Sequence, residues 1–148
     1  MLDARRIIVY LNRRYQQLVA ARAYTLATLR KHGFAQTYFG RRRYFPGVYS
    51  GSKLAVRGAE RGALNMPIQG TAADVLKLCM IRVHNELRQA AKESRMVLQV
   101  HDEIVVEAPQ AEVTAVVEIC RAMTLRLLPV HLPVAVSVGP NWCDQEEV

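Results

Sequence analysis

Two apolar runs separated by only three polar residues constrain this chain more than any other feature. Residues 96–100 and 104–107 are rich in Val, Ile and Leu, as β-strands are, and His101, Asp102 and Glu103 stand between them. Because there is no room for a longer connection, the chain must reverse direction at these polar residues. The sequence therefore predicts a β-hairpin whose tip holds a histidine and two adjacent carboxylates.

The rest of the chain predicts helices that pack on this hairpin. Apolar residues recur at helical spacing over residues 3–32, in one helix or two in succession, and Gly33 ends that stretch. Two short strands around Gly40 predict a second hairpin. The other predicted elements are a loop over 47–52, helices over 53–65, 68–92 and 112–127 with a break at Pro67, and a last strand over 134–138. This order predicts an α+β fold with helices packed on one face of a small antiparallel sheet.

Charge is distributed unevenly along the chain. The 148 residues suffice for one domain with a core, and the formal net charge is +7. Residues 1–62 carry a balance of +11, whereas residues 63–148 carry −4. The asymmetry predicts a surface for a polyanion, and a basic face that contacts only solvent is the alternative.

Cysteine content and hydropathy exclude several classes of protein. Cys79, Cys120 and Cys143 are odd in number and lack the spacing of metal ligands, which argues against a disulfide framework and a zinc site. Residues 127–140 are too few to span a membrane, and no apolar signal core follows the start. We expect a reducing, cytoplasmic setting without a membrane partner.

The two adjacent carboxylates are candidate metal ligands. Hard cations such as Mg²⁺ take oxygen ligands, commonly a few carboxylates with phosphates and water. In two-metal phosphoryl transfer such carboxylates hold ions about 3.5–4 Å apart, and the ligands come from more than one place in the chain. The alternative is that Asp102 and Glu103 only form a turn, for which Asp is suited.

A row of hydrogen-bond donors lies in the predicted helices. Arg61, Asn65 and Gln69 are spaced by four, which places them on one stripe of a helix. Donors suit the purine N3 and pyrimidine O2 acceptors that every base pair shows in the minor groove. The alternative is a polar stripe that faces solvent.

The second hairpin carries three consecutive arginines. Arg41, Arg42 and Arg43 lie beside aromatic residues, a combination that suits backbone phosphates and base stacking. A solvated turn would have the same composition, so the pattern leaves both readings open.

Four motifs occur in a defined order along the chain. They are Phe39-Gly-Arg-Arg-Arg-Tyr, the block over residues 60–74 with its Pro-Ile-Gln-Gly-Thr-Ala-Ala-Asp core, Val100-His-Asp-Glu, and a closing Gly-Pro-Asn-Trp. Their order and separation resemble the C-terminal part of family A DNA polymerases, the bacterial DNA polymerase I type. The resemblance covers about residues 10–142. It implies that residues 1–50 form the tail of the fingers and residues 51–148 part of the palm, within a single unit.

The resemblance also implies residue roles. Asp102 matches the aspartate of the third polymerase motif, which binds the catalytic Mg²⁺ ions, and Glu103 matches a neighbouring carboxylate of secondary importance. His101 matches a histidine close to the primer terminus. The residues that match minor-groove contacts are Arg61, Asn65 and Gln69. The segment containing Arg41, Arg42 and Arg43 leads from the fingers into the palm, and a phosphate contact is implied for the segment as a whole.

The implied function is part of a DNA-directed DNA polymerase. Its partners would be primer–template DNA and, in the complete enzyme, deoxynucleoside triphosphates. The family's other metal-binding aspartate and its triphosphate-binding helix lie upstream of the motifs found here, and Asp3 has no matching context. We therefore expect that this chain does not polymerise alone and that a separate chain with the missing motifs completes it. The other expected partner, for an inert fragment, is a second copy of the chain in a homo-oligomer that hides the exposed palm edge. The alternatives are a non-catalytic duplex DNA-binding module and an inert polymerase fragment. A bacterial, plasmid or phage origin and a role in replication or repair are all compatible.

Overall fold

The computed structural model describes residues 4–148, so the predicted helix start at Asp3 lies outside the described residues. Two compact units divide the chain, one ending at Ala72 and the other comprising Ala73–Val148. This division differs from the internal boundary at residue 50, because the helix that follows residue 52 packs with the N-terminal elements. The assignment of the segments to fingers and palm stays a prediction.

Six elements form the first unit before its last helical turns. They are α1 (Ala4–Arg14), α2 (Gln16–His32), β1 (Phe34–Gln36), β2 (Arg42–Tyr44), a 3₁₀ turn (Pro46–Tyr49) and α3 (Lys53–Asn65). The predicted N-terminal helical stretch is thus two helices, which separate at Tyr15. Gly33 ends α2 in the left-handed conformation (φ 74), as predicted. The antiparallel pairing of β1 with β2 confirms the second hairpin, with Phe34 opposite Tyr44.

The core of the first unit joins α2, the hairpin and α3. Its buried members are Leu29, Ala35, Phe45, Ala59, Ala63 and Met66. The three from the α3 side recur at helical spacing, which directs one face of the helix inward. Gly62 lets the Phe45 ring approach α3 closely, because a Cβ there would lie 2.7 Å from the ring. An ion pair of 2.7 Å between Arg30 and Glu60 adds a contact between α2 and α3.

Pro67 does not break the helical path, which corrects the prediction. A π-helical segment, Met66–Gly70, follows α3 directly and leads into α4 (Thr71–Ala90). The wider π turn accommodates a proline near its start, where the missing N–H would otherwise interrupt the α-helical ladder. The backbone is therefore helical without interruption from Lys53 to Ala90.

The second unit combines helices with short antiparallel pairs. After α4 come β3 (Arg95–Val100), β4 (Glu103–Glu107), a 3₁₀ turn (Gln110–Glu112), α5 (Val113–Ala122), β5 (Ser137–Val138) and β6 (Glu146–Glu147). The buried core consists of Val83, Leu87, Ala91, Val116 and Ile119. Val106 of β4 packs against it, so the carboxylate hairpin rests on the two helices.

The C-terminal part departs from the prediction in two places. Helix α5 ends at Ala122 instead of residue 127, and the Arg82 side chain donates to the Leu125 carbonyl (3.1 Å) in the turn that follows. The last strand begins only at Ser137 and pairs with β6, which was not predicted. Within residues 4–148 the strands form three separate two-stranded ribbons. The α+β class is confirmed, and the small antiparallel sheet is divided among these ribbons.

The cysteines are all free, and burial raises the pKa of the Cys79 and Cys120 thiols. Among residues 4–148, no helix combines the length and hydrophobicity needed to cross a bilayer.

Candidate nucleic-acid interface and carboxylate turn

The polar face of the continuous helix carries the predicted donors. Arg61 and Asn65 lie on α3 and Gln69 in the π segment, and all three are exposed. Within the described part of the chain their side chains have no hydrogen-bond or ion-pair partner. Because their donor groups are not used internally, they are available to an external acceptor.

The π segment improves the alignment of the three donors. A step of four residues along an α-helix advances about 40° beyond a full turn, so a stripe spaced by four drifts around the axis. A π turn holds more residues, so the step from Asn65 to Gln69 turns through a smaller angle. Gln69 therefore returns toward the direction of Arg61.

The tip of the β1–β2 hairpin is bound to the π segment by side-chain hydrogen bonds. The buried Thr71 hydroxyl accepts from the Tyr38 N–H (2.9 Å) and donates to the Pro67 carbonyl (2.5 Å). The Arg41 guanidinium donates to the Gly70 carbonyl (3.0 Å). Two carbonyls that flank Gln69 on either side are thus held by groups outside the π segment.

Close packing accompanies these hydrogen bonds. A Cβ on Gly70 would lie 2.8 Å from Thr37 Cγ2 and 2.9 Å from Met66 Sδ, so only glycine fits without movement. The Thr37 hydroxyl also accepts from the Arg41 N–H (3.2 Å) inside the hairpin loop. Gly70 and Thr71 appear in the sequence analysis only as members of the motif over residues 60–74, without a role, and Thr37 does not appear. A glycine inside a helical pattern is the one local signal of such a close approach.

The three consecutive arginines differ in what they contact. Arg42 lies over the Phe34 ring (4.6 Å) and Arg43 over the Phe45 ring (5.1 Å), whereas Arg41 is tethered to Gly70. Stacking uses the face of a guanidinium and leaves its in-plane N–H groups available. All three arginines are exposed. Arg42 and Arg43, as neighbours in β2, point to opposite sides of the ribbon.

The carboxylate turn lies in the second unit. Val100 pairs with Glu103, so Glu103 begins β4, and only His101 and Asp102 form the loop. This corrects the prediction that all three polar residues occupy the tip. His101 has a left-handed backbone (φ 53), which is uncommon for a residue other than glycine. The three side chains are exposed.

The base of this hairpin is fixed by contacts that sequence analysis missed. The Glu112 carboxylate accepts from the Ser94 hydroxyl (2.5 Å), the Ser94 N–H (2.9 Å) and the Glu93 N–H (3.3 Å). The hydrogen bond from the Ser94 hydroxyl is the main reason why the Glu112 pKa is lowered. Arg95 and Glu107 also form an ion pair (3.0 Å) across the first strand residues, but both side chains are exposed and such a pair contributes little to stability.

The side chains at the turn can supply some of the ligands of a metal ion, with the remaining ligands coming from other groups. Asp102 and Glu103 offer carboxylate oxygens, the ligands that Mg²⁺ prefers. Within residues 4–148, no group of three His, Cys, Asp or Glu side chains is close enough to hold an ion. Since Mg²⁺ is commonly bound by one or two carboxylates with phosphates and water, the turn can supply part of a coordination shell.

The first unit is basic and carries donors without internal partners, and the second unit carries an exposed carboxylate turn. These features are those of a candidate nucleic-acid-binding α+β protein. The family model for DNA polymerase family A matches residues 2–144. The chain therefore belongs to the family A DNA polymerases, which confirms the resemblance of the four motifs.

Individual relatives agree with the family. Over 135 residues the chain is 41% identical to the thermostable DNA polymerase I of Thermus thermophilus, with 89% of this chain and 16% of that protein covered. Over 135 residues it is 44% identical to DNA polymerase I of Chloroflexus aurantiacus, with 86% and 14% covered. The chain thus spans a small fraction of the length of these curated relatives.

A solved structure shares the fold. The POL domain of Pol1 from M. smegmatis, in complex with DNA primer-template and dNTP, superposes with a TM-score of 0.70 and 37% sequence identity. The match covers 76% of this chain and 20% of that chain.

Proposed function

We propose that this chain contacts the minor groove of primer–template DNA through Arg61, Asn65 and Gln69, and that Asp102 contributes a Mg²⁺ ligand to a DNA polymerase. The observation that carries the proposal is the exposed row of donors without internal partners. Membership of the family, and a solved relative described as a complex with DNA primer-template and dNTP, support the choice of ligands.

The donor row suits recognition of duplex geometry without reading of sequence. Every base pair presents acceptors in the minor groove, whereas the major-groove pattern differs from pair to pair. Arg, Asn and Gln side chains all donate, and the basic character of residues 1–62 favours approach of a polyanion. Of the arginines in the β1–β2 hairpin, Arg42 and Arg43 are the candidates for phosphate contacts.

The carboxylate turn acts as a positioned ligand pair. Bound Mg²⁺ would stabilise the attacking and leaving oxygens of nucleotidyl transfer. Asp102 would hold the ion from the loop of the hairpin, and Glu103 would have a secondary role because its backbone begins β4. His101, next to them, would lie near the primer terminus. The contacts of Glu112 with Ser94 hold the base of the hairpin and so limit its movement.

We also propose that the 148-residue chain does not extend a primer by itself. Described residues supply no group of three metal-ligating side chains, and catalysis of phosphoryl transfer depends almost wholly on positioning and electrostatics. A separate chain with the remaining carboxylate and the triphosphate-binding residues would complete the site. Helix α1 has no buried residue, and Ile7, Ile8 and Leu11 are exposed, which supports docking of such a chain.

Binding of primer–template DNA tests the first proposal. Arg61, Asn65 and Gln69 are replaced together by alanine, and the dissociation constant is measured by fluorescence anisotropy. Each lost hydrogen bond is worth about 1 kcal/mol, so the triple variant should bind about 100-fold more weakly. A matched triple variant of Asn85, Arg88 and Gln89, which are exposed on α4, should bind like the wild type. Equal losses in the two triple variants would refute the assignment of the donor row.

Primer extension tests the carboxylate proposal. Extension is measured for the chain alone and with a second chain that carries the missing family motifs. Only the pair should extend the primer, and Asp102→Ala should abolish this activity. The control Glu107→Ala removes an exposed carboxylate from the same hairpin and should have little effect. If the pair extends a primer equally well with Asp102→Ala, the metal role is wrong.

A non-catalytic duplex-binding module is the second candidate, favoured by the missing third ligand among residues 4–148. It predicts duplex binding with a steep dependence on salt, since phosphate contacts release counterions, but no extension in any combination. An inert fragment predicts no binding of duplex DNA. If that fragment forms a homo-oligomer that covers α1, its sedimentation coefficient should also rise with protein concentration.

A further inference from the structure

We infer that Arg41 is a positioning residue, and that with Thr71 it braces the π segment so that Gln69 points to the DNA. This inference rests on the proposed minor-groove function and separates the role of Arg41 from that of its two neighbours. The observation that carries it is a pair of hydrogen bonds from the hairpin tip, one to the Gly70 carbonyl and one to the Thr71 hydroxyl, which itself donates to the Pro67 carbonyl.

The π segment is a place where bracing is needed. Single π turns are rare and less regular than α-helix, and Pro67 removes one N–H from the helical ladder. Gln69 lies between Pro67 and Gly70, and the carbonyls of these two residues accept from Thr71 and Arg41. Both donors come from outside the π segment, so they restrain the backbone on each side of Gln69.

Arg41 is occupied in a way that Arg42 and Arg43 are not. Its guanidinium donates to Gly70, and its N–H donates to Thr37, so both its side chain and its backbone are used inside the unit. Arg42 and Arg43 instead stack on aromatic rings, which leaves their N–H edges free. The sequence Arg-Arg-Arg therefore contains one brace and two candidate phosphate ligands.

Thr71 provides a second connection between the hairpin and the π segment, in addition to that of Arg41. Its hydroxyl accepts from the backbone of Tyr38 in the hairpin and donates to Pro67 in the π segment. Threonine commonly bonds back to the carbonyl four residues earlier and bends the helix when it does. Since Thr71 is buried (8% exposed), it acts on Gln69 through the backbone and cannot itself contact DNA.

Salt dependence of duplex binding separates a brace from a phosphate ligand. Loss of a phosphate contact reduces the slope of log affinity against log salt by about 0.9, whereas loss of a brace weakens binding at every salt concentration. The wild-type chain and the variants Arg41→Met, Thr71→Val and Thr71→Ser are titrated with primer–template DNA between 50 and 200 mM salt, concentrations over which phosphate contacts change affinity by about 10³ or more. Arg42→Met and Arg43→Met are the comparison variants.

The brace predicts a distinct pattern. Arg41→Met and Thr71→Val should bind about tenfold more weakly with an unchanged slope, and Thr71→Ser, which keeps the hydroxyl, should bind like the wild type. At least one of Arg42→Met and Arg43→Met should reduce the slope. A slope reduced by about 0.9 in Arg41→Met would make Arg41 a phosphate ligand and overturn the inference.

Amide hydrogen exchange supplies a readout that does not need DNA. Arg41→Met and Thr71→Val should accelerate exchange at Ile68, Gln69 and Gly70 by about tenfold, and leave α5 unchanged. Unchanged exchange at these three amides would refute the brace even if the wild type binds DNA. Faster exchange in a chain that does not bind DNA would instead refute the proposed function and leave the brace in place.

Discussion

Replacement of Gly70 by alanine tests whether the hairpin packs on the π segment. In a helix, Gly→Ala normally stabilises by about 0.5–1 kcal/mol, because alanine loses less conformational entropy on folding. Gly58 of α3 is the matched control, since nothing lies within 4 Å of a Cβ added there. The same substitution is thus made in one continuous helical path, once into open space and once into a packed contact.

The structure determines the sign at each position. Gly58→Ala should realise the full gain of about 0.5–1 kcal/mol. A methyl on Gly70 would meet Thr37 Cγ2 at 2.8 Å and Met66 Sδ at 2.9 Å, and both of these residues are buried. Overpacking of this kind costs about 1–3 kcal/mol. The Met66 thioether can move, but β-branched Thr37 is stiff, so Gly70→Ala should lower stability by about 1 kcal/mol after the helical gain is subtracted.

Intrinsic fluorescence measures the two units separately. All six tyrosines lie between residues 10 and 49, and the single tryptophan is Trp142. Urea unfolding followed by tyrosine emission should show a lower midpoint for Gly70→Ala and a higher one for Gly58→Ala. The midpoint followed by Trp142 reports on the second unit and should change less than the tyrosine midpoint in both variants. If Gly70→Ala stabilises the first unit as much as Gly58→Ala, the close approach of Thr37 to the π segment is wrong.

Three further perturbations probe the cores and the carboxylate hairpin. Leu29→Ala removes a side chain with 0% exposure from the first core and should lower the free energy of unfolding, followed by tyrosine emission, by about 2–5 kcal/mol. The control Leu54→Ala, at an exposed position, should lower it much less, and equal losses would contradict the assigned core. Glu112→Gln should lower the free energy of unfolding at pH 6, and this effect should disappear as the pH falls. The pKa of Glu112 is lowered in the folded protein, so its carboxylate stabilises the fold above the ordinary glutamate pKa of about 4.3. This stabilisation disappears as the carboxylate is protonated at lower pH. The Trp142 urea midpoint at pH 3 and pH 6 checks this, and an equal deficit at both pH values would refute the charge-assisted cap. His101→Val should be about 1–2 kcal/mol less stable than His101→Gly, because a left-handed backbone (φ 53) penalises a β-branched residue; similar midpoints would exclude that conformation.

The residue pattern alone predicts those helices and strands whose bounds are set by residues nearby in the sequence. The helix over residues 53–65 has the predicted bounds, and the loop before residue 53 and Pro67 after it are the local signals that set them. The carboxylate hairpin was predicted because three polar residues leave no other connection between two apolar runs. Its loop is shorter than expected, since Glu103 already pairs with Val100.

The errors occur where residues distant in sequence determine the backbone. The sequence predicts a break at Pro67, yet the helix continues through a π turn. From the hairpin, the Arg41 side chain donates to the Gly70 carbonyl of this turn, and the Tyr38 N–H donates to the Thr71 hydroxyl just after it. Helix α5 ends early beside a turn that Arg82 contacts from α4. The partner of the last strand is a pair of glutamates, Glu146–Glu147, which has no apolar alternation to indicate a strand.

In the candidate site, the residues proposed to contact a ligand differ from those that hold them in position. Side-chain chemistry singled out the residues that would meet DNA or metal but left a structural alternative open, and the family resemblance assigned the roles. These residues are exposed: Arg61, Asn65, Gln69, Asp102 and Glu103. Residues that hold them in place, such as Thr71 and Glu112, were missed because their importance lies in one contact across the fold. No local composition distinguishes a bracing threonine from an ordinary one.

This separation provides a criterion for reading variants of the first unit. Asn65 is exposed and has no internal partner, so its side chain contributes little to folding and its loss should change DNA affinity alone. Thr71 is buried and bonds to both the hairpin and the π segment, so its loss should change stability and affinity together. A variant that weakens DNA binding at unchanged stability therefore identifies a contact residue. A variant that changes both at a constant salt slope identifies a residue that positions the contact.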